Sequence, residues 1–120
     1  MEQQPIVFEE MVRGLVKDGK DIIRDLSPIN ADLLHMGVGV SGDAGELLDA
    51  IKKNTIYGKP LDIENVIEEL GDLEFYMERI RQLINITREQ TIEANIAKLG
   101  KRYSSGKYSN QQAQARADKV

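Results

Sequence analysis

Apolar residues recur along this chain at helical spacing, and the strict alternation of a half-buried strand is missing. A first helix is predicted from about Pro5 to Lys17, with Val7, Met11, Leu15 and Phe8 on one face, followed by a loop at "KDGKD". Ser27-Pro28 supplies a cap residue and then proline in the first helical turn, opening a long second helix towards Asn54 that "NTIYGKPL" breaks. Asp62 caps a third helix to about Asn85, whose stripe Val66, Leu70, Leu73, Met77, Ile80 and Ile84 holds helical period. Thr87-x-x-Gln90 is a capping-box pattern that starts a fourth helix through Arg102. The three prolines, Pro5, Pro28 and Pro60, fall at the joints. The expected fold is all-α, an antiparallel helical bundle of four main helices over residues 1–103. The polar stretch 104–120 is expected to be a tail or surface arm, partly disordered, with at most a short helix after Ser109.

Within the second predicted helix lies "GVGVSGDAGELLDAIKK", which pulls in two directions. Its Gly37-x-Gly39-x-x-Gly42 matches the spacing of a dinucleotide loop, but such a loop leaves a strand and opens a helix, and here the preceding "SPINADLLHM" is already helical. The glycines are better explained by a helix that bends or packs tightly against a neighbour. The second half places Asp43 and Glu46 one turn apart, and "EELGDLEFY" repeats the arrangement with Glu69 and Asp72.

Taking Asp43 as the origin at 100° per residue, Glu46 falls near about 300°, while Val40, Ala44, Leu47 and Ile51 fall between about 40° and 100°. With Glu69 as origin, Asp72 falls near about 300° and Val66, Leu70, Leu73 and Met77 between about 40° and 100°. Both acid pairs therefore border their apolar stripe on the same flank. In an antiparallel hairpin, residues at one level have numbers with a constant sum, and Glu46 with Glu69 and Asp43 with Asp72 both give 115. The pivot lies between Tyr57 and Gly58, inside the predicted turn. Acid pairs at this spacing are ordinary in a chain with 30 % charged residues, and it is the joint agreement of spacing, flank and depth that singles these out. Four carboxylates at one level repel and raise one another's pKa, so they call for cations. Hard oxygen donors suit Mg²⁺, with Mn²⁺ as the alternative, and such ions suit a phosphate-bearing substrate.

Composition narrows the classes. At 120 residues the chain fits a single domain, near the size where a partner subunit helps. With 16 basic and 20 acidic residues the formal charge is -4, which argues against nucleic acid as a partner. The chain has no cysteine and one histidine, His35, excluding thiolate and multi-histidine metal sites. The start "MEQQPIVFEE" has neither the basic residues nor the apolar run of a signal peptide, and no run of about 18 apolar residues occurs. A cytoplasmic protein without membrane partners is expected. Lys52 and Lys53 complement the C-terminal end of the long helix dipole, with Lys53 assigned to substrate. Asp49, Glu64, Glu68 and Glu74 read as solvent-facing or secondary, and His35 as a packed or surface side chain.

These residues resemble the MazG-like all-α NTP pyrophosphohydrolases, whose hallmark is an E-x-x-E pair, a spacer, and then E-x-x-D. Here Asp43-Ala44-Gly45-Glu46 and Glu69-Leu70-Gly71-Asp72 stand 22 residues apart, and the downstream "NIAKLGKRY" is similar to the family's basic fourth-helix motif. The resemblance spans about Leu33 to Tyr103. Asp43 stands where the family usually has glutamate, one methylene shorter. The resemblance implies Mg²⁺-dependent hydrolysis of a nucleoside triphosphate to monophosphate and pyrophosphate, with metal held by Asp43, Glu46, Glu69 and Asp72. It implies that Glu46 or Glu69 takes the proton of the attacking water. It also implies phosphate or sugar contacts from Asn95, Lys98, Arg102 and Tyr103, and a homodimer or homotetramer. Phe75, Tyr76 and Tyr103 are candidate platforms for the base. The rival from another class is a non-catalytic helical bundle serving protein–protein interaction or nucleotide sensing.

Overall fold

The computed structural model describes residues 4–119, and among them every regular element is helical. They divide into two units, Met1–Ala31 and Asp32–Val120, each described separately below.

The first unit carries α1 (Phe8–Leu15), α2 (Gly19–Asp25) and the opening turn of α3 (Pro28–Thr55). Where a loop was expected at "KDGKD", the chain already enters α2. Asp18 in extended conformation accepts a hydrogen bond from the Lys20 N–H at 2.9 Å, and Asp21 pairs with Arg24 at 2.9 Å one turn on. Local capping thus overrides the glycine at position 19, whose cost in a helix is only about 1 kcal/mol. The first helix ends correspondingly early, at Leu15, and its apolar side chains Phe8 and Leu15 are exposed.

The second unit contains the rest of α3, α4 (Ile63–Leu83), α5 (Arg88–Arg102), α6 (Asn110–Ala115) and a 3₁₀ turn at Ala117–Lys119. The glycine-rich stretch lies wholly inside α3, which removes the strand-to-helix turn that a dinucleotide loop needs. Asp62 caps α4 by accepting the Asn65 N–H at 3.1 Å. Thr87 and Gln90 close the capping box of α5: the Gln90 N–H donates to Thr87 Oγ1 at 3.0 Å and the Thr87 N–H to Gln90 Oε1 at 2.7 Å. Each cap satisfies backbone donors that a helix start leaves without partners.

α3 and α4 face one another as an antiparallel pair. At Gly39 an added Cβ would lie 2.4 Å from the Tyr76 ring, so the ring sits where a side chain would otherwise be. Positions 39 and 76 again add to 115, the constant of the two acid pairs. The connecting loop is tied down by Gly58, in the left-handed region at φ 68°, whose N–H donates to Asn54 O at 3.1 Å. The Lys59 N–H donates to Lys53 O at 3.2 Å, and Asn54 Nδ2 donates to Lys59 O at 2.8 Å.

Among the described residues only Ala50 and Arg81 are buried, the latter holding Glu78 at 3.0 Å and Glu74 at 3.7 Å. Of the α4 stripe, Val66, Leu73, Met77 and Ile80 are half-buried, while Leu70 and Ile84 are exposed.

The C-terminal stretch carries the short helix expected after Ser109, and it docks on α5. Ser109 caps α6 by accepting the Gln112 N–H at 3.1 Å, and α5 packs chiefly against the 3₁₀ turn and α6. Arg102 Nε donates to Asp118 Oδ1 at 2.8 Å and its Nη2 to Oδ2 at 3.2 Å, a two-pronged clasp across sixteen residues. The Asp118 side chain is 4 % exposed. Hydrogen bonds from Arg102 hold the Asp118 carboxyl below its ordinary value, outweighing the opposing effect of burial. A depressed carboxylate stabilises the fold above its unfolded value and loses that contribution as pH falls through the folded one. Replacing Asp118 by asparagine is expected to speed amide exchange over residues 110–119 by about fivefold or more at neutral pH, with α3 and α4 unchanged. Unaltered exchange in that segment would remove the clasp's role.

Candidate metal centre

Asp43 and Glu46 project from α3 and Glu69 and Asp72 from α4. One carboxylate oxygen from each of Asp43, Glu69 and Asp72 lies within 4.8 Å of the others. Asp43 and Glu69 are half-buried and Asp72 is exposed. Glu46 is exposed beside them and interacts with both Glu69 and Asp43. Helix periodicity explains the convergence, since residues three apart on each helix share a flank and the antiparallel register brings the two flanks level.

The electrostatics follow from that crowding. Partial burial raises the Glu69 carboxyl first, followed by a hydrogen bond shared with Glu46 and the charges of Glu46, Asp43 and Asp72. Burial likewise leads for Asp43, with the charge of Glu46 and a carboxyl–carboxyl hydrogen bond next. Glu69 Oε2 is shielded from solvent and has no hydrogen-bond partner among the described residues, a costly arrangement for a carboxylate oxygen. These features fit a hard divalent cation, which would take the orphaned oxygen and offset the repulsion.

The other sequence-derived residues divide in two. Lys53 is on the same hairpin, paired with Asp49 at 3.2 Å, and lines a cavity of about 310 Å³ with Ala50, Lys59, Pro60, Asp62 and Asn65. Asn95, Lys98, Arg102 and Tyr103 are on α5 or its end, and among the described residues they make no hydrogen bond or ion pair to the carboxylates. Arg102 is occupied by Asp118, and Tyr103 packs on Tyr108 with ring centroids 5.7 Å apart. Lys98 lines a separate cavity with Ala97, Lys101, Asp118 and Lys119. Of the aromatic platforms, Tyr76 is half-buried against Gly39, while Phe75 meets its edge at 5.4 Å and is exposed.

Sequence reasoning missed Lys59, Asn65 and Asp118. Asn65 was within reach, because it stands four residues before Glu69 on the same flank. Asp118 carried no local signal, since its partner lies sixteen residues away.

Compared with protein-family models, curated proteins and solved structures, the chain matches none of them. Among the described residues no helix is long and apolar enough to cross a membrane.

Proposed function

We propose that this chain is a Mg²⁺-dependent nucleoside triphosphate pyrophosphohydrolase of MazG-like type, releasing the monophosphate and pyrophosphate. The observation that carries the reading is the convergence of Asp43, Glu69 and Asp72 around an unpartnered Glu69 oxygen, with Glu46 alongside. Donors of this kind hold Mg²⁺ or Mn²⁺, and the ion when bound would neutralise the triphosphate and make a water molecule more acidic.

Within this reading the chain's own residues divide the work. Asp43, Glu69 and Asp72 are the ligand set. Glu46, outside that set and exposed, accepts the proton of the attacking water and passes it to solvent. No nucleophile from the chain is required. Asn95, Lys98, Arg102 and Tyr103 serve the substrate only where α5 meets the carboxylates, and a second subunit is the natural way to bring them there. The exposure of Leu70 on the α4 stripe and of Ile84 just past the helix supports such a homodimer or homotetramer, as apolar side chains that a partner could cover. The Asp118 clasp then makes Arg102 a residue that shapes the α5 end, with Lys98, which has no ion pair among the described residues, left for phosphate. The four-helix bundle belongs to the assembled state in this reading.

The deciding experiment incubates the full chain with a panel of NTPs and dNTPs and Mg²⁺. Pyrophosphate release from at least one nucleotide is expected, together with a Mg²⁺-dependent rise in Tm. Absence of both would sink the reading and favour a non-catalytic interaction or sensing module, and orthophosphate release would point to a different phosphohydrolase.

A further inference from the structure

The flank that bears the carboxylates does not stop at them. On α3 the series Asp43, Glu46, Ala50, Lys53 advances by three or four residues at each step, and on α4 Asp72, Glu69, Asn65, Asp62 does the same in the opposite direction. Taking Asp43 and Glu69 as origins, all eight fall within about 100° of arc on their own helix. Their levels also match: Ala50 with Asn65 and Lys53 with Asp62 again add to 115. The cavity of about 310 Å³ therefore lies on the same flank of the hairpin, beginning about 6 Å along the helix axes from the Glu46–Glu69 level.

Its lining distinguishes it from the carboxylate end. Ala50, 4 % exposed, and the Pro60 ring form apolar walls, while the Asn65 amide offers both a donor and an acceptor. Of the two lysines in the lining, Lys53 is paired with Asp49, outside the cavity, at 3.2 Å, and Lys59 shares the cavity with Asp62. A site for polyphosphate would carry a surplus of cations, whereas apolar walls with a few convergent polar groups suit a neutral heterocycle. The Lys59 end is preorganised, since its backbone is fixed at both N–H and C=O.

We infer that this cavity seats the sugar and base of the nucleotide, with Asn65 and Lys59 as its polar contacts and the phosphates lying back along that flank towards the carboxylates. The inference rests on the nucleotide reading above and adds to it a place for the nucleoside. One level of the hairpin separates base from metal, so the reacting phosphate is positioned by the end of the molecule that does not react.

The test uses the full chain. In EDTA, each of the four deoxynucleoside monophosphates and, separately, inorganic pyrophosphate are titrated while the Asn65 side-chain amide and the Lys59 backbone amide are followed by NMR. At least one monophosphate is expected to shift both signals, and pyrophosphate neither. Asn65→Leu, which keeps the helix and removes the amide, is expected to weaken that binding roughly tenfold or more. It should also raise KM by the same factor with kcat within about twofold, and Lys59→Ala, on the loop, provides a second variant. Turnover with KM insensitive to both variants would overturn the inference and leave the hydrolase intact, as would signals moved by pyrophosphate alone. Monophosphate binding that depends on Asn65 in a protein hydrolysing no nucleotide would uphold the cavity's role and overturn the hydrolase.

Discussion

Glu69→Gln is expected to abolish nucleotide turnover, by about 10²- to 10⁴-fold, and at the same time to make the metal-free protein more stable at neutral pH. The two effects share one cause. Glutamine is nearly isosteric, so the packing of α4 is preserved, but it removes both a ligand oxygen and the negative charge that Glu46, Asp43 and Asp72 oppose. Because Asp43 and Glu69 are raised above their ordinary values, the metal-free folded chain binds protons more tightly than the unfolded chain. Their contribution to stability is therefore unfavourable at pH 7, and it diminishes as pH falls through the raised folded values towards the ordinary ones. In EDTA the wild-type Tm should rise as the pH is lowered from neutrality towards the ordinary carboxyl range, and Glu69→Gln should flatten that rise. Mg²⁺ at pH 7 should raise the wild-type Tm by mass action and leave the variant nearly unmoved. A variant that keeps full turnover, or responds to Mg²⁺ as the wild type does, would remove Glu69 from the ligand set.

The second large effect belongs to packing. At most exposed helical positions alanine in place of glycine adds up to about 1 kcal/mol of stability. Gly39→Ala is expected to do the opposite, costing about 1–3 kcal/mol net and lowering Tm by roughly 5–15 °C. The new Cβ would meet three ring atoms of Tyr76 at 2.4–2.6 Å, and Phe75 stands edge-on to that ring at 5.4 Å. The helices must then separate or shift, one turn from Asp43, so the Mg²⁺-dependent rise in Tm should shrink as well. Combining Gly39→Ala with Tyr76→Ala should cost less than the two single changes added together, which a double-mutant cycle by thermal or urea unfolding will read. Alanine tolerated or stabilising at position 39 would show that the Gly39–Tyr76 contact does not set the register. The same substitution at Gly37 or Gly42, where nothing lies within 4 Å, is the control.

These two residues also mark the limits of what the chain discloses on inspection. The helical class, the caps at Asp62 and Thr87, the long α3 and the acid pairs were legible, because each depends on residues within about one turn of one another. The constant sum of residue numbers extended that reach from one helix to two, since an antiparallel hairpin with a short loop has little freedom of register once both apolar stripes must face inward. The second short helix was not legible: its glycine and charged residues look like a loop until the Asp18 cap and the Asp21–Arg24 pair are seen together. Nor was the pairing of Arg102, to which the resemblance assigns phosphate or sugar contacts, with Asp118.

By itself, then, the sequence determined that the protein is helical, where its main helices start, and that four carboxylates fall on matching flanks at matching depth, since all of this follows from periodicity and local hydrogen bonding. Only the tertiary structure decided which oxygen is left without a partner, which glycine a neighbouring ring requires, that the tail is clasped to α5, and that Ala50 and Asn65 line a cavity beside the loop. Those features depend on contacts between residues far apart in the chain, where the shape of both partners counts and residue type alone says little.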